Sequence, residues 1–164
     1  MIDSVLLSDP RLMLTVAAAV GSGVVAGVLF AFSAFVMRGL STLQAEAGVA
    51  AMRAINAAAL RPPFLSVFVG TALLAPLPAV LSLLGNGDSL ALSVAGAALY
   101  VGGTVGITRI AHLPRNWALD NAPDGSEAVR VWARYVREWT RWNHVRAAAS
   151  AAASIVFTVI LVGG

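Results

Sequence analysis

Few side chains in this sequence can move a proton or hold a developing anion, and most of them fall in two short segments. His112 stands in Thr108-Arg109-Ile110-Ala111-His112-Leu113-Pro114-Arg115-Asn116, and His144 in Trp139-Thr140-Arg141-Trp142-Asn143-His144-Val145-Arg146. Glu46 and Glu138 are the other acid–base candidates near apolar segments. An imidazole of ordinary pKa, about 6.5, can accept a proton at neutral pH. On a continuous helix turning about 100° per residue, Asn143 and Arg146 fall beside Trp139 and Trp132, while His144 turns toward the opposite side. An amide and a guanidinium next to aromatic rings, at the edge of an apolar run, read as a polar pocket facing the bundle interior.

Other chemistries find less support. There is no cysteine, which excludes disulfides, thiolate metal sites and thiol nucleophiles. Two histidines and a carboxylate are the residue types of a non-haem iron site, but no paired ligand spacing such as HxxxH or HxD occurs, so a metal is the minor alternative and no metal ligand is assigned. Gly21-Ser22-Gly23 lies inside an apolar run, and no phosphate-binding loop or nucleophile elbow is present.

The elements that must position these groups are set by apolar runs of bilayer-spanning length. Met13 to Met37 carries no charge and is bounded by Arg11 and Arg38; about 20 such residues cross a bilayer. Spans are predicted at 13–37, 62–86, 89–111 and 144–163, with interfacial helices at 41–60 and 124–142. The composition agrees, at 59% hydrophobic and 12% charged. The expected fold is all-α: one integral membrane four-helix bundle, 1–164, with two cytoplasmic interfacial helices. Asp3 and Asp9 stand where a secretory leader carries positive charge, so the first run reads as a retained span.

All eleven basic residues are arginine, and the net charge is +3. They flank the spans, which makes lipid headgroups rather than nucleic acid their expected counter-charge. Arg38, Arg53 and Arg61 follow the first span, and Arg115, Arg130, Arg134, Arg137 and Arg141 follow the third; the hairpin Gly85-Asn86-Gly87-Asp88 has none. The positive-inside bias therefore predicts a multi-pass inner-membrane protein with both long loops cytoplasmic and both termini outside.

Local signals refine this. Ser41 with Gln44, and Asp124 with Glu127, read as capping pairs; Pro114 reads as the end of the third span. Arg130, Arg134, Arg137 and Arg141 form one stripe opposite Ala128, Trp132, Tyr135, Trp139 and Trp142, as on a helix lying at headgroup level. Gly23/Gly27, Ala98/Gly102/Gly106, Ala147/Ala151 and Ser150/Ser154 offer close helix approach within the bundle and leave a homodimer open. Four spans without a broken-helix pair or inverted repeat argue against a transporter acting as a monomer, an objection that a dimer would weaken.

Four segments together resemble a known family. They are Phe30-Ala31-Phe32-Ser33-Ala34-Phe35-Val36-Met37-Arg38-Gly39-Leu40, Ala51-Met52-Arg53-Ala54-Ile55-Asn56, His112-Leu113-Pro114-Arg115-Asn116 and the Trp-x-x-Trp-Asn-His-x-Arg run 139–146. In order and spacing they are similar to the membrane anthrone-oxygenase family, over nearly the whole chain. Arg38, Arg53 and His112 depart from it, where the family usually has Pro, Gln and Asn; the last alters an expected pocket residue.

The resemblance implies oxidation of an anthrone-like lipophilic aromatic to a quinone, with O2 as co-substrate and no organic cofactor. On that reading His112 or His144 is the base, and Asn143, Arg146, Asn116 and Asn56 stabilise the oxyanion. Trp139 and Trp142, with Phe32 and Ser33, bind the substrate. The alternative is a small membrane protein that binds a lipophilic ligand or partner without turning it over; the His/Asn/Arg set separates the two, because a binder has little need of a base.

Overall fold

Asp9 sets the start of the first helix. Its carboxylate accepts from the backbone N–H of Arg11 at 2.9 Å and of Leu12 at 3.4 Å, and Pro10 occupies the first turn, where no N–H is needed. The computed structural model describes residues 9–85, 89–123 and 125–163. Within them the chain forms α1 (Pro10–Ser41), α2 (Ala45–Ala59), α3 (Phe64–Gly85), α4 (Leu90–Asp120) and α5 (Ser126–Gly163), with no strand among the described residues. Four of these, α1, α3, α4 and α5, are long and apolar enough to cross a membrane, so the chain is an all-helical multi-pass membrane protein.

The four long helices run up and down, and α1 and α5 make the most extensive pairing. Two clusters fill the interior. Ala18, Ala19, Val25, Leu29, Ala75, Tyr100, Ala153 and Phe157 form one within the bundle. Met37, Val49, Met52, Leu119, Ala128, Trp132, Tyr135 and Trp139 form the other, where α2 packs on the ends of α1 and α4 and the start of α5.

Several local expectations change. Ser41 does not cap α2; it ends α1, donating its hydroxyl to the Arg38 carbonyl at 2.7 Å, and α2 starts after Gln44 without a side-chain cap. Asp124 of the second capping pair lies outside the described residues, as do residues 86–88 of the hairpin. Residues 126–142 are not a separate in-plane helix: α5 runs unbroken for 38 residues, about 57 Å. That exceeds the roughly 40–45 Å of a bilayer with its headgroups. Pro114 does not end α4, which continues to Asp120. The proline follows a π-helical turn, Thr108–His112, where the i−4 ladder that it would break is already displaced.

Wide turns shape α4 most. Ala98–Gly106 and Thr108–His112 are π-helical, and Gly96, Tyr100, Thr104, Thr108 and His112 recur every four residues along one side. In α geometry a four-residue step overshoots a turn by about 40°, so sixteen residues would swing about 160° around the axis. The wider turns cancel this drift. Gly96 therefore meets Phe157, Thr104 bonds Ser150 at 2.8 Å, Thr108 bonds Arg146 at 3.0 Å, and His112 meets Trp139, all along α5. Close approach falls accordingly at Gly96 and Gly103, and at Gly23 against Ser154, rather than at Gly27 or Gly102, which face open space.

Candidate functional site

Between the two clusters lies a cavity of about 450 Å³ to which all five helices contribute. That is within the range of about 300–1,000 Å³ common for small-molecule sites. Its walls are mostly apolar: Val28, Leu29 and Phe32 from α1, Met52 and Ile55 from α2, and Phe64, Leu65 and Phe68 from α3. Its polar groups are Asn56 of α2, Thr108, His112 and Asn116 of α4, and Arg146 of α5. Leu60 and Leu113, both exposed, stand at its mouth.

His112 is 1% exposed, and its ring meets Trp139 edge to face, with centroids 4.9 Å apart and planes at 82°. The carbonyls of Ile107 and Trp139 lie close, but neither ring nitrogen has a hydrogen bond in good geometry among the described residues. A buried imidazole left in this state has an acceptor nitrogen to offer a ligand.

Arg146 is 6% exposed. Its Nη1 donates to Thr108 Oγ1 at 3.0 Å and its Nη2 to Asn143 Oδ1 at 2.7 Å, while Nε is buried without a partner. The guanidinium stands 5.4 Å from the centre of the Trp139 ring. Among the described residues no carboxylate pairs with it; the ion pairs are Arg115 with Glu138, at 3.0 Å, and Arg130 with Glu127. A buried cation held only by neutral groups is costly, and such groups in membrane segments mark functional sites.

Around these two, aromatic and amide groups fix the geometry. Asn116 Oδ1 accepts from the Tyr135 hydroxyl at 2.8 Å and from Trp139 Nε1 at 3.1 Å, which commits its amide nitrogen to the other side. Phe32 packs on Trp139 with centroids 5.6 Å apart. Asn56 Nδ2 is buried beside the Tyr135 hydroxyl without a formed hydrogen bond. Gly48 lets α2 come down on Trp132, whose ring a Cβ would meet at 2.7 Å. Arg53 then ties α2 to the end of α4, donating to Leu119 O at 2.9 and 3.1 Å and to Ala122 O at 2.8 Å.

Of the residues singled out in the sequence, the structure brings Phe32, Asn56, His112, Asn116, Trp139 and Arg146 to one cavity. Asn143 is fully buried but one layer behind: its Nδ2 donates to Leu29 O at 2.7 Å and to Ser33 Oγ at 2.8 Å, and its Oδ1 holds Arg146. Ser33, its partner, lines an outer groove between α1 and α5 instead. His144 is exposed in that same groove, across α5 from His112. Trp142 is 38% exposed beside Arg115, Glu138 and Arg141. A site of two histidines and one carboxylate would need His112 and His144 to converge, and among the described residues no three His, Asp or Glu side chains do.

Thr108, Tyr135 and the π turns were not singled out as parts of the site. Tyr135 was legible in the aromatic stripe. Thr108 sits one four-residue step before His112, a relation visible only once α4 is known to widen.

Residues 61–156 match the family model described as anthrone oxygenase. No curated protein and no solved structure matches the chain. The matched segment carries His112, Asn116, Trp139 and Arg146 and leaves Phe32 and Asn56 before it. It covers more than half of the 164 residues, with four of the cavity's six foreseen groups inside it, and the chain belongs to the anthrone oxygenase family.

Proposed function

We propose that this protein is a membrane oxygenase that converts a lipophilic anthrone-like aromatic to its quinone with O2 and without an organic cofactor. The single observation that carries this reading is the pairing, in one apolar cavity, of a buried imidazole and a buried guanidinium that, among the described residues, have unmet nitrogens and no carboxylate partner. A base and an anion site are what the reaction requires.

His112 removes a benzylic C–H proton from the anthrone, whose carbanion is delocalised as a phenolate. Arg146 and the Asn116 amide stabilise the oxygen that takes the negative charge, in a site with little water to screen them. Electrons from the anion then reduce O2, a C–O bond forms, and the proton held on His112 passes to the outer oxygen to give a hydroperoxide. Loss of the second benzylic proton with cleavage of the O–O bond releases water and leaves the ketone of the quinone. Each turnover thus consumes one O2 and releases one water. Trp139 and Phe32 hold the flat ring system, and the exposed leucines at the cavity mouth suit entry of a lipid-soluble substrate.

The arginines place α2 and the start of α5 on the cytoplasmic side in this reading. The test is oxygen uptake by protein purified in detergent and supplied with emodin anthrone, with metal content measured on the same sample. Uptake matched by quinone formation, and lost in His112→Ala, supports the proposal. Tight binding without uptake leaves a binding protein, and uptake that tracks stoichiometric iron or copper moves the chemistry to a metal.

A further inference from the structure

Asn143 is a fully buried amide with no access to the cavity, yet every polar atom of its side chain is used. Its Nδ2 is held by two acceptors on α1, Leu29 O and Ser33 Oγ, at the π turn Phe32–Val36. That fixes the amide so that only Oδ1 can face Arg146. Thr108 completes the hold from α4. Its one hydroxyl proton goes to Thr104 O at 2.8 Å, so its oxygen can only accept from Arg146 Nη1. Both anchors of the guanidinium are therefore neutral acceptors, from two helices, and its Nε has no partner among the described residues.

A carboxylate in either place would hold the arginine more strongly and would cancel its charge. We infer that Asn143 is a positioning residue whose neutral amide, with Thr108, fixes Arg146 while leaving its positive charge uncompensated, so that the cavity favours the phenolate form of its ligand, the form an anthrone takes once its proton is lost. The inference rests on the cavity being the ligand site proposed above. It adds that the neutrality of these two anchors favours ligand ionisation, with His112 the other titratable group lining the cavity.

The probe is 1,8-dihydroxyanthraquinone, whose visible absorption reports loss of its phenolic proton. Its apparent pKa is measured in detergent micelles alone and in micelles carrying saturating protein. Wild-type protein is expected to lower the dye's pKa by at least one unit, about a tenfold shift of its ionisation. Asn143→Asp should return the pKa to the micelle value while the dye still binds. Because that variant also loses the donor to Leu29 O, Thr108→Asp supplies the same charge from α4 with the Asn143 bonds intact and should do the same. A dye that binds wild-type and both variants with the same lowered pKa overturns the role given to Asn143 and Thr108 alone. A dye that does not bind wild-type protein at all overturns the cavity reading and this inference together. Binding to wild-type protein without a lowered pKa keeps the cavity and overturns the inference.

Discussion

The imidazole of His112 stands edge-on to the indole of Trp139, at 4.9 Å and 82°, and the same indole carries Arg146 at 5.4 Å from its ring centre. One aromatic side chain thus orients both the candidate base and the candidate anion site. Its own N–H is held by Asn116, so the indole cannot turn without releasing that bond. A base aligned in this way contributes through geometry as well as basicity.

Replacing His112 tests the base directly. His112→Asn keeps a hydrogen-bonding side chain of similar reach while removing the only buried imidazole among the described residues. The turnover number is expected to fall by about 10²–10⁴-fold, the usual worth of general-base catalysis. Single-turnover oxidation of an anthrone, followed by quinone absorbance, measures it; undiminished turnover would remove His112 from the mechanism.

Arg146→Met should separate stability from function. The substitution removes a buried charge that no carboxylate among the described residues balances, and apolar replacement of buried ions is often neutral or stabilising. Thermal unfolding in detergent should therefore show a midpoint at or above wild type, although Asn143 Oδ1 loses its donor. Oxidation should fall at least about tenfold in kcat/KM, equivalent to about 1.4 kcal/mol of lost transition-state stabilisation. A lower midpoint with activity retained would assign Arg146 to packing.

His144 and Trp142 supply the opposite control. Both face outward on α5, away from the cavity. Exposed positions without special partners shift energies by no more than about 0.5 kcal/mol, so His144→Ala and Trp142→Ala should keep kcat/KM within about twofold of wild type. A large loss in His144→Ala, measured by oxygen uptake, would move the reaction to the outer groove.

Gly48→Ala probes the wall that α2 forms. The added methyl would lie 2.7 Å from Trp132, and overpacking of this kind typically costs about 1–3 kcal/mol. The melting temperature should fall and KM rise as α2 lifts from the cavity. An unchanged melting temperature would mean that α2 has room to shift.

The spans were legible because lipid leaves little choice of sequence: uncharged runs such as 13–37 have few other fates. The buried face of α5 was legible too, since α5 keeps the ordinary helical period from Trp132 through Arg146. That period is why Asn143 and Arg146 fall inside and His144 outside. Trp142 reads as part of the aromatic stripe by spacing, but its position, three residues beyond Trp139, carries it past the buried edge of that stripe. Ser41 and Pro114 misled for a related reason: short signals report local preference, while a π turn or the continuation of a long helix is decided by packing across the bundle. No residue in Ala98–Gly106 announces a wide turn, so the line from Gly96 to His112 could be found only in three dimensions.

Arg53 gives the cavity an unexpected dependence. It stands one turn before Asn56 on α2 and grips the carbonyls of Leu119 and Ala122, where α4 gives way to the connection into α5. The breadth of the cavity is thereby referenced to a stretch of backbone that does not line it. Variation in that connection would reshape the cavity with every lining side chain unaltered.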